Sequence, residues 1–270
     1  MFSMMKDFER YLNDTNLSKN TNTAYLYALR QYNEQHDVIS RKNLRIFKLF
    51  LIEKYKPKTV NLRLRAINCY LESIGKGGLK IPFVKIQQKI FIENVISEAD
   101  YNYFKTRLKN DNEMFWYFVI RFLAATGARI SELIQIKVEH IKTGYFDLYS
   151  KGGKLRRIYF PKALKLEALS WLEEKGKESG FIFLNKYGER ITTRGIAIQL
   201  KRLAVSYGIN PAVVYPHSFR HRFAKSFLER FNDISFLADL MGHESIETTR
   251  IYLRKTATEQ QAIVDKVIDW

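Results

Sequence analysis

Residues 215–252 read YPHSFRHRFAKSFLERFNDISFLADLMGHESIETTRIY, and the reading of this stretch decides how the rest of the chain is understood. Pro216 suits the first turn of a helix, so His217, Arg220 and His221 are expected to share one face about a turn apart. The apolar pattern from Ser235 to Met241 predicts a second helix ended by Gly242, which leaves His243 on the following turn. Thr248, Thr249 and Tyr252 recur at helical spacing, so Tyr252, nine residues after His243, projects from a short third helix. Folded back on one another, these pieces can bring two histidines, an arginine and a tyrosine into one pocket.

Those residue types suit one chemistry. An arginine presents planar donors that match phosphate oxygens two at a time, and histidine donates to a third oxygen or moves a proton near neutral pH. A tyrosine hydroxyl, with an ordinary pKa near ~10, becomes a nucleophile only where cations and a base assist it. The combination points to attack of Tyr252 on a phosphodiester. Upstream, residues 125–137 read ATGARISELIQIK and supply Arg129. The ordered set resembles the tyrosine recombinase family, the phage integrases and Xer-type resolvases. Its signature is an arginine in a TGxRxSEL context, then His-x-x-Arg, a Leu-Gly-His-like step and a tyrosine nine residues later. Phe219 and Met241 stand where leucine is more usual in that pattern, and both replacements are apolar.

Length and charge set limits. The 270 residues suffice for two domains with ordinary cores, and the net charge of +17 with a pI near 9.7 favours a polyanionic partner. No apolar run approaches a membrane span, and the start carries Asp7 and Glu9 in place of a signal peptide's basic-then-apolar order, so a soluble, cytoplasmic, nucleoid-associated protein is expected. The single cysteine, Cys69, permits neither an internal disulfide nor a cysteine metal cluster.

Residues 1–78 are expected to form a helical domain, with inward stripes such as Leu44, Phe47 and Leu51, then Val60, Leu64, Ile67 and Leu71. Residues 1–95 carry 17 basic and 8 acidic side chains, and nine of the basic ones fall between Arg41 and Arg65 against Glu53 alone. A single-signed face of this kind suits phosphate contact, and Arg41, Lys42, Arg45, Lys58, Arg63 and Arg65 are its candidate DNA-binding members. The family's helical core-binding domain occupies the same place. A linker is expected over 79–95. Ser97 then opens a capping box for the catalytic domain of 96–270. The expected fold is mainly α with a small β-hairpin, its two lobes closing on DNA as a clamp.

In that second domain, residues 112–125 predict a buried helix broken at Gly127, after which Arg129 starts the next. Glu132, one turn on, either orients Arg129 or a neighbour or is a solvated carboxylate. Residues 145–160, YFDLYSKGGKLRRIYF, alternate about a Lys-Gly-Gly-Lys turn and predict a hairpin. The resemblance implies that a lysine on this hairpin protonates the leaving oxygen. Lys151 matches it, and Lys154 stays open because SKGGK departs from the more usual GKGNK. Leu164, Leu166, Leu169 and Leu172 mark one face of a helix over 161–175. Thr193 is expected to cap a helix whose Arg194, Lys201 and Arg202 can lie against a DNA groove.

The resemblance implies catalysis by Arg129, Lys151, His217, Arg220, His243 and Tyr252 without metal, cofactor or ATP, through a 3′-phosphotyrosine and a Holliday junction. Double-stranded DNA with inverted-repeat core sites is the implied partner, and a second recombinase or accessory protein stays open. The tail over 257–270 carries an apolar stripe of Ile263, Val264, Val267, Ile268 and Trp270, which docks either on its own chain or, as the family implies, on a neighbour within a DNA-bound tetramer. A compact, Xer-like layout without an arm-binding domain is expected. A type IB topoisomerase and a non-catalytic DNA-binding regulator are the competing readings. The outcome, integration and excision, inversion or dimer resolution, stays open.

Overall fold

The computed structural model describes residues 2–15, 17–86, 94–149, 155–243, 245–253 and 257–268, which fall into two units, Met1–Gln88 and Lys89–Trp270. The first unit holds α1 (Phe2–Asp14), α2 (Lys19–Asn33), α3 (Arg41–Lys54) and α4 (Pro57–Ser73). Each starts where the side chains dictate: Ser18 and Ser40 accept the backbone N–H groups of Thr21 and Asn43, and Pro57 stands in the first turn of α4. The apolar stripes meet as expected, burying Phe8, Leu12, Leu29, Tyr32, Phe47, Leu51, Leu64, Ile67 and Leu71 in one core.

The first part of the stretch read as a linker packs on this same unit. Asn68 donates to the Ile81 carbonyl at 2.9 Å and accepts from its N–H at 2.8 Å, and Asn61 does the same for Val84 at 2.9 and 2.9 Å. Two carboxamides thus satisfy an extended backbone that has no sheet to join. Ile81, at the first of those ties, is buried.

The second unit is built on α5 (Glu98–Asn110), α6 (Met114–Thr126), α7 (Ile130–Leu133), α8 (Val138–Thr143), β1 (Tyr145–Tyr149), β2 (Leu155–Tyr159), α9 (Lys162–Glu174), α10 (Thr193–Ser206), α11 (Pro216–Arg230), α12 (Ile234–Met241), α13 (Ile246–Arg250) and α14 (Ala257–Val267), with a 3-10 turn at Ile251–Leu253. Among the described residues the architecture is mainly helical with one two-stranded sheet, as expected. Buried side chains surround α6, where Phe118, Val119, Ile120, Phe122 and Leu123 all lie in the core and Trp171 stacks on Phe118 with ring centroids 4.5 Å apart. Helix α11 packs across α6, and the Ser218 hydroxyl accepts the Ile96 N–H at 2.8 Å inside that layer.

Two local expectations change. The cap of α10 is Thr192, whose hydroxyl accepts the Gly195 N–H at 3.0 Å, one residue before Thr193. On α9 the inward positions are Leu164, Ala168, Trp171 and Leu172, and Leu166 is exposed, because steps of three and four residues keep a face while a step of two leaves it. The strands pair antiparallel with Phe146 opposite Ile158 and Leu148 opposite Arg156. Lys151 and Lys154 lie outside the described residues. Among the described residues no helix is long and apolar enough to cross a membrane. Val264, Val267 and Ile268 at the end of the chain are exposed.

Candidate active site

Arg129 is set by the way α6 ends. Gly127 closes that helix at φ +62°, and a β-carbon there would fall 2.4 Å from Cδ1 of Phe223, so the tight passage requires glycine. Arg129 follows in extended backbone as the N-cap of α7, and Glu132, three residues on, accepts its N–H at 2.6 Å. The same carboxylate accepts Nη1 of Arg129 at 2.8 Å and Nη1 of Arg156 at 2.6 Å. Of the two roles open to Glu132, the structure shows the orienting one, toward both arginines.

The other anchor is the C-terminus of α12, whose last carbonyls have no partner within the helix. Three guanidiniums supply one. Nε of Arg156 donates to the Leu240 carbonyl at 2.9 Å, Nη2 of Arg220 to that of Met241 at 2.6 Å, and Nη2 of Arg129 to that of Gly242 at 3.0 Å. Cations are favoured at this end of a helix dipole, so consecutive carbonyls gather three like charges that would otherwise repel. Nη1 of Arg220 also donates to the Gly127 carbonyl at 2.5 Å, which leaves that residue 3% exposed. Burial, then the nearby Arg129 and Arg156, bring the Arg220 pKa down to about 10.

His243 follows Gly242 directly. Its Nε2 lies 3.1 Å from Nη2 of Arg220 and its Nδ1 2.8 Å from the buried hydroxyl of Thr249. A guanidinium has no acceptor, so Nε2 accepts and Nδ1 carries the proton toward Thr249. Burial and the surrounding arginines depress the imidazole pKa to about 4, keeping the ring neutral. His221, one turn beyond His217 on α11, is likewise depressed to about 4 by burial, with His217 and Arg220 adding to it. His217 lies at the exposed mouth, its ring 6.4 Å from that of His221, and its pKa is lowered by partial desolvation, Arg220 and Arg129.

Tyr252 lies on the 3-10 turn after α13 and is 6% exposed, packed with Ala224, Leu228, Leu237 and Met241. Its ring stands 5.3 Å from that of His221 and 6.2 Å from that of His243, nearly parallel to the latter at 11°. Burial raises the phenol pKa, while the nearby Arg220 and Arg129 act the other way.

The structure therefore brings Arg129, His217, Arg220, His243 and Tyr252 into one pocket, each from a different turn or helix end except the pair on α11. Arg41, Lys42, Arg45, Lys58 and Arg65 are exposed on the first unit, and Arg63 is half-buried over the Tyr27 ring at 4.2 Å. Arg194, Lys201 and Arg202 are exposed on α10. Arg156 was not among the sequence candidates. Its signal was available, since alternation with Ile158 and Phe160 puts it on the inward side of β2, where an arginine needs a partner.

Comparison with known proteins agrees with this geometry. Residues 94–259 match the phage integrase family. The chain is 29% identical to tyrosine recombinase XerA of Pyrococcus furiosus over 97% of its own length and 93% of the relative's. It is 27% identical to tyrosine recombinase XerC of Lactobacillus delbrueckii subsp. bulgaricus over 93% of each chain. Its fold is similar to that of the Tn1549 transposon integrase, solved in complex with circular intermediate DNA, at a TM-score of 0.74 and 18% identity over 98% of this chain and 99% of that one. With the family match spanning most of the chain and the pocket holding the arginines, histidines and tyrosine of the motif, the protein belongs to the phage integrase family, the tyrosine-type site-specific recombinases.

Proposed function

We propose that the chain cleaves and rejoins duplex DNA through a 3′-phosphotyrosine on Tyr252. The observation that carries this is the convergence of Arg129, Arg220, His243 and Tyr252, with Arg156 behind them and the Glu132 carboxylate joining Arg156 to Arg129. Among the described residues these three guanidiniums meet one carboxylate, that of Glu132, and a phosphodiester supplies further negative charge. Arg129 is the most open of the three, with 38% of its side chain exposed, and Arg220 is the most enclosed.

In the proposed step the Tyr252 oxygen bonds to phosphorus, the bond from phosphorus to the 5′ oxygen breaks, and His217 takes the phenolic proton. Lys151 gives a proton to the departing oxygen. Arg129, Arg220 and His243 hold the non-bridging oxygens, and the phosphate's charge raises the His243 pKa so that it becomes a donor. Because the phosphodiester energy is kept in the tyrosyl ester, a 5′-hydroxyl from a partner duplex reverses the step without ATP. Two such rounds give exchange through a Holliday junction. The outcome is integration and excision or inversion of an element, or Xer-like dimer resolution.

The exposed basic side chains of α3, α4 and α10 serve the DNA backbone. The exposed Val264, Val267 and Ile268 support docking of the C-terminal helix on a neighbouring protomer in a DNA-bound tetramer. Covalent trapping tests the reading. The protein and its Tyr252→Phe variant are incubated, with chelator, with nicked suicide duplexes drawn from DNA flanking the gene. The expected result is a denaturation-resistant adduct that the variant cannot form, and strand transfer to an added second duplex separates a recombinase from a topoisomerase. DNA binding with no adduct would favour a regulator.

A further inference from the structure

Arg156 is the part of the pocket that the motif leaves without a role. It is 9% exposed, on the inward side of β2, and its donors reach across the chain to Glu132, 24 residues earlier, and Leu240, 84 residues later. The partner surface is shaped for it. Gly242 adopts φ +60°, and a β-carbon there would lie 2.2 Å from Cδ and 2.8 Å from Nε of Arg156. The glycine before His243 therefore serves both the helix end and the seat of this side chain.

Stability alone is a poor reason for such a group. A buried ion pair rarely gains more than an apolar side chain of the same volume would, and the flanking inward positions of β2 and β1, Ile158 and Phe146, are apolar. What an arginine adds is direction, since a planar fork fixes two acceptors at once. Its acceptors are the carboxylate that holds Arg129 and the carbonyl two residues before Gly242. We propose that Arg156 is a positioning residue for strand cleavage: by fixing Glu132 and the end of α12 together, it sets Arg129 and the Gly242–His243 step where they receive the phosphate. This rests on the reading of the pocket as the cleavage site.

The test compares Arg156→Met, Arg156→Lys, Glu132→Gln and the double variant Arg156→Met/Glu132→Gln in single-turnover adduct formation on the suicide duplex, with duplex affinity and thermal unfolding measured alongside. Arg156→Met is expected to bind duplex within about twofold of the parent yet form adduct roughly 100-fold more slowly, the scale of a small misplacement of reacting groups. Lysine reaches one acceptor at a time and is expected to recover about a tenth of the parent rate. The double variant is expected to be about as slow as the slower single variant, because both act through one carboxylate. A folded Arg156→Met variant that cleaves within about twofold of the parent overturns the proposal, as does equal loss of affinity and rate. If the methionine variant does not fold, Arg156→Lys decides: parental cleavage overturns the proposal, and a slow rate with unchanged affinity supports it. A parent protein that forms no Tyr252-dependent adduct overturns the reading of the pocket itself, a result distinct from a normal rate in the Arg156 variants alone.

Discussion

The two cationic regions of this protein use the same residue type in opposite ways. On α3 and α4, Arg41, Arg45 and Arg65 are exposed, and Arg65 lies over the Phe83 ring at 5.8 Å. In the pocket, Arg129, Arg156 and Arg220 are directed at three consecutive carbonyls and one carboxylate. Exposed charges are screened and interchangeable, so they suit affinity for a polyanion whatever its sequence. Buried forks have fixed acceptors and little freedom, so they suit one geometry. The difference teaches that charge count describes the first region and says little about the second.

Substitutions can break this contrast, and the largest effect belongs to the most enclosed group. Arg220→Lys keeps the charge but loses the fork that spans Gly127, Met241 and His243. Adduct formation is expected to fall by about 10²–10³-fold, and a parental single-turnover rate would show that only charge matters in the pocket. Next comes Glu132→Gln, which leaves Arg129 and Arg156 facing each other without their carboxylate. Burial alone would raise that carboxyl's pKa, yet Arg156 and the Arg129 backbone hold it below its usual value, so it is charged at pH 7. Unfolding of the catalytic unit is expected to become easier by about 3 kcal/mol, read by denaturant titration followed at its tryptophans.

A pH titration sharpens the comparison further. His221 and His243 have pKa values of about 4 in the folded chain, below the ordinary histidine range. A depressed folded pKa means that the unfolded chain takes up protons which the folded chain refuses. Stability is therefore full above about pH 6.5 and declines as the pH falls toward about 4. The midpoint of thermal unfolding is expected to drop over that window, and His221→Gln is expected to flatten part of the drop. An unchanged slope in that variant would remove His221 from the account. Duplex binding should shrink the His243 share, because phosphate offsets Arg220, Arg129 and Arg156 around it.

The smallest effects are expected on the exposed face. Arg41→Ala or Arg45→Ala should alter stability by less than about 0.5 kcal/mol and weaken binding to all duplexes alike, lowering the salt slope by about one. A strong, sequence-dependent loss from either would erase the distinction between the two regions.

Much of this was legible in the chain itself, because it depends on neighbours a few residues apart. The starts at Ser97 and Pro216, the ends at Gly127 and Gly242, and the shared face of His217, Arg220 and His221 follow from capping and from a period of 3.6. The motif from Arg129 to Tyr252 likewise identified the family, since order along the chain is a property of sequence. Only the tertiary structure decided which way the side chains were engaged. Glu132 had two readings until Arg156 was brought to it from β2, and nothing local ties Arg129 to the Gly242 carbonyl, 113 residues away. Those hydrogen bonds exist because packing of α11 across α6 and of α12 against β2 brings distant backbone ends within about 3 Å of the guanidiniums, a closeness that periodicity within one helix cannot encode.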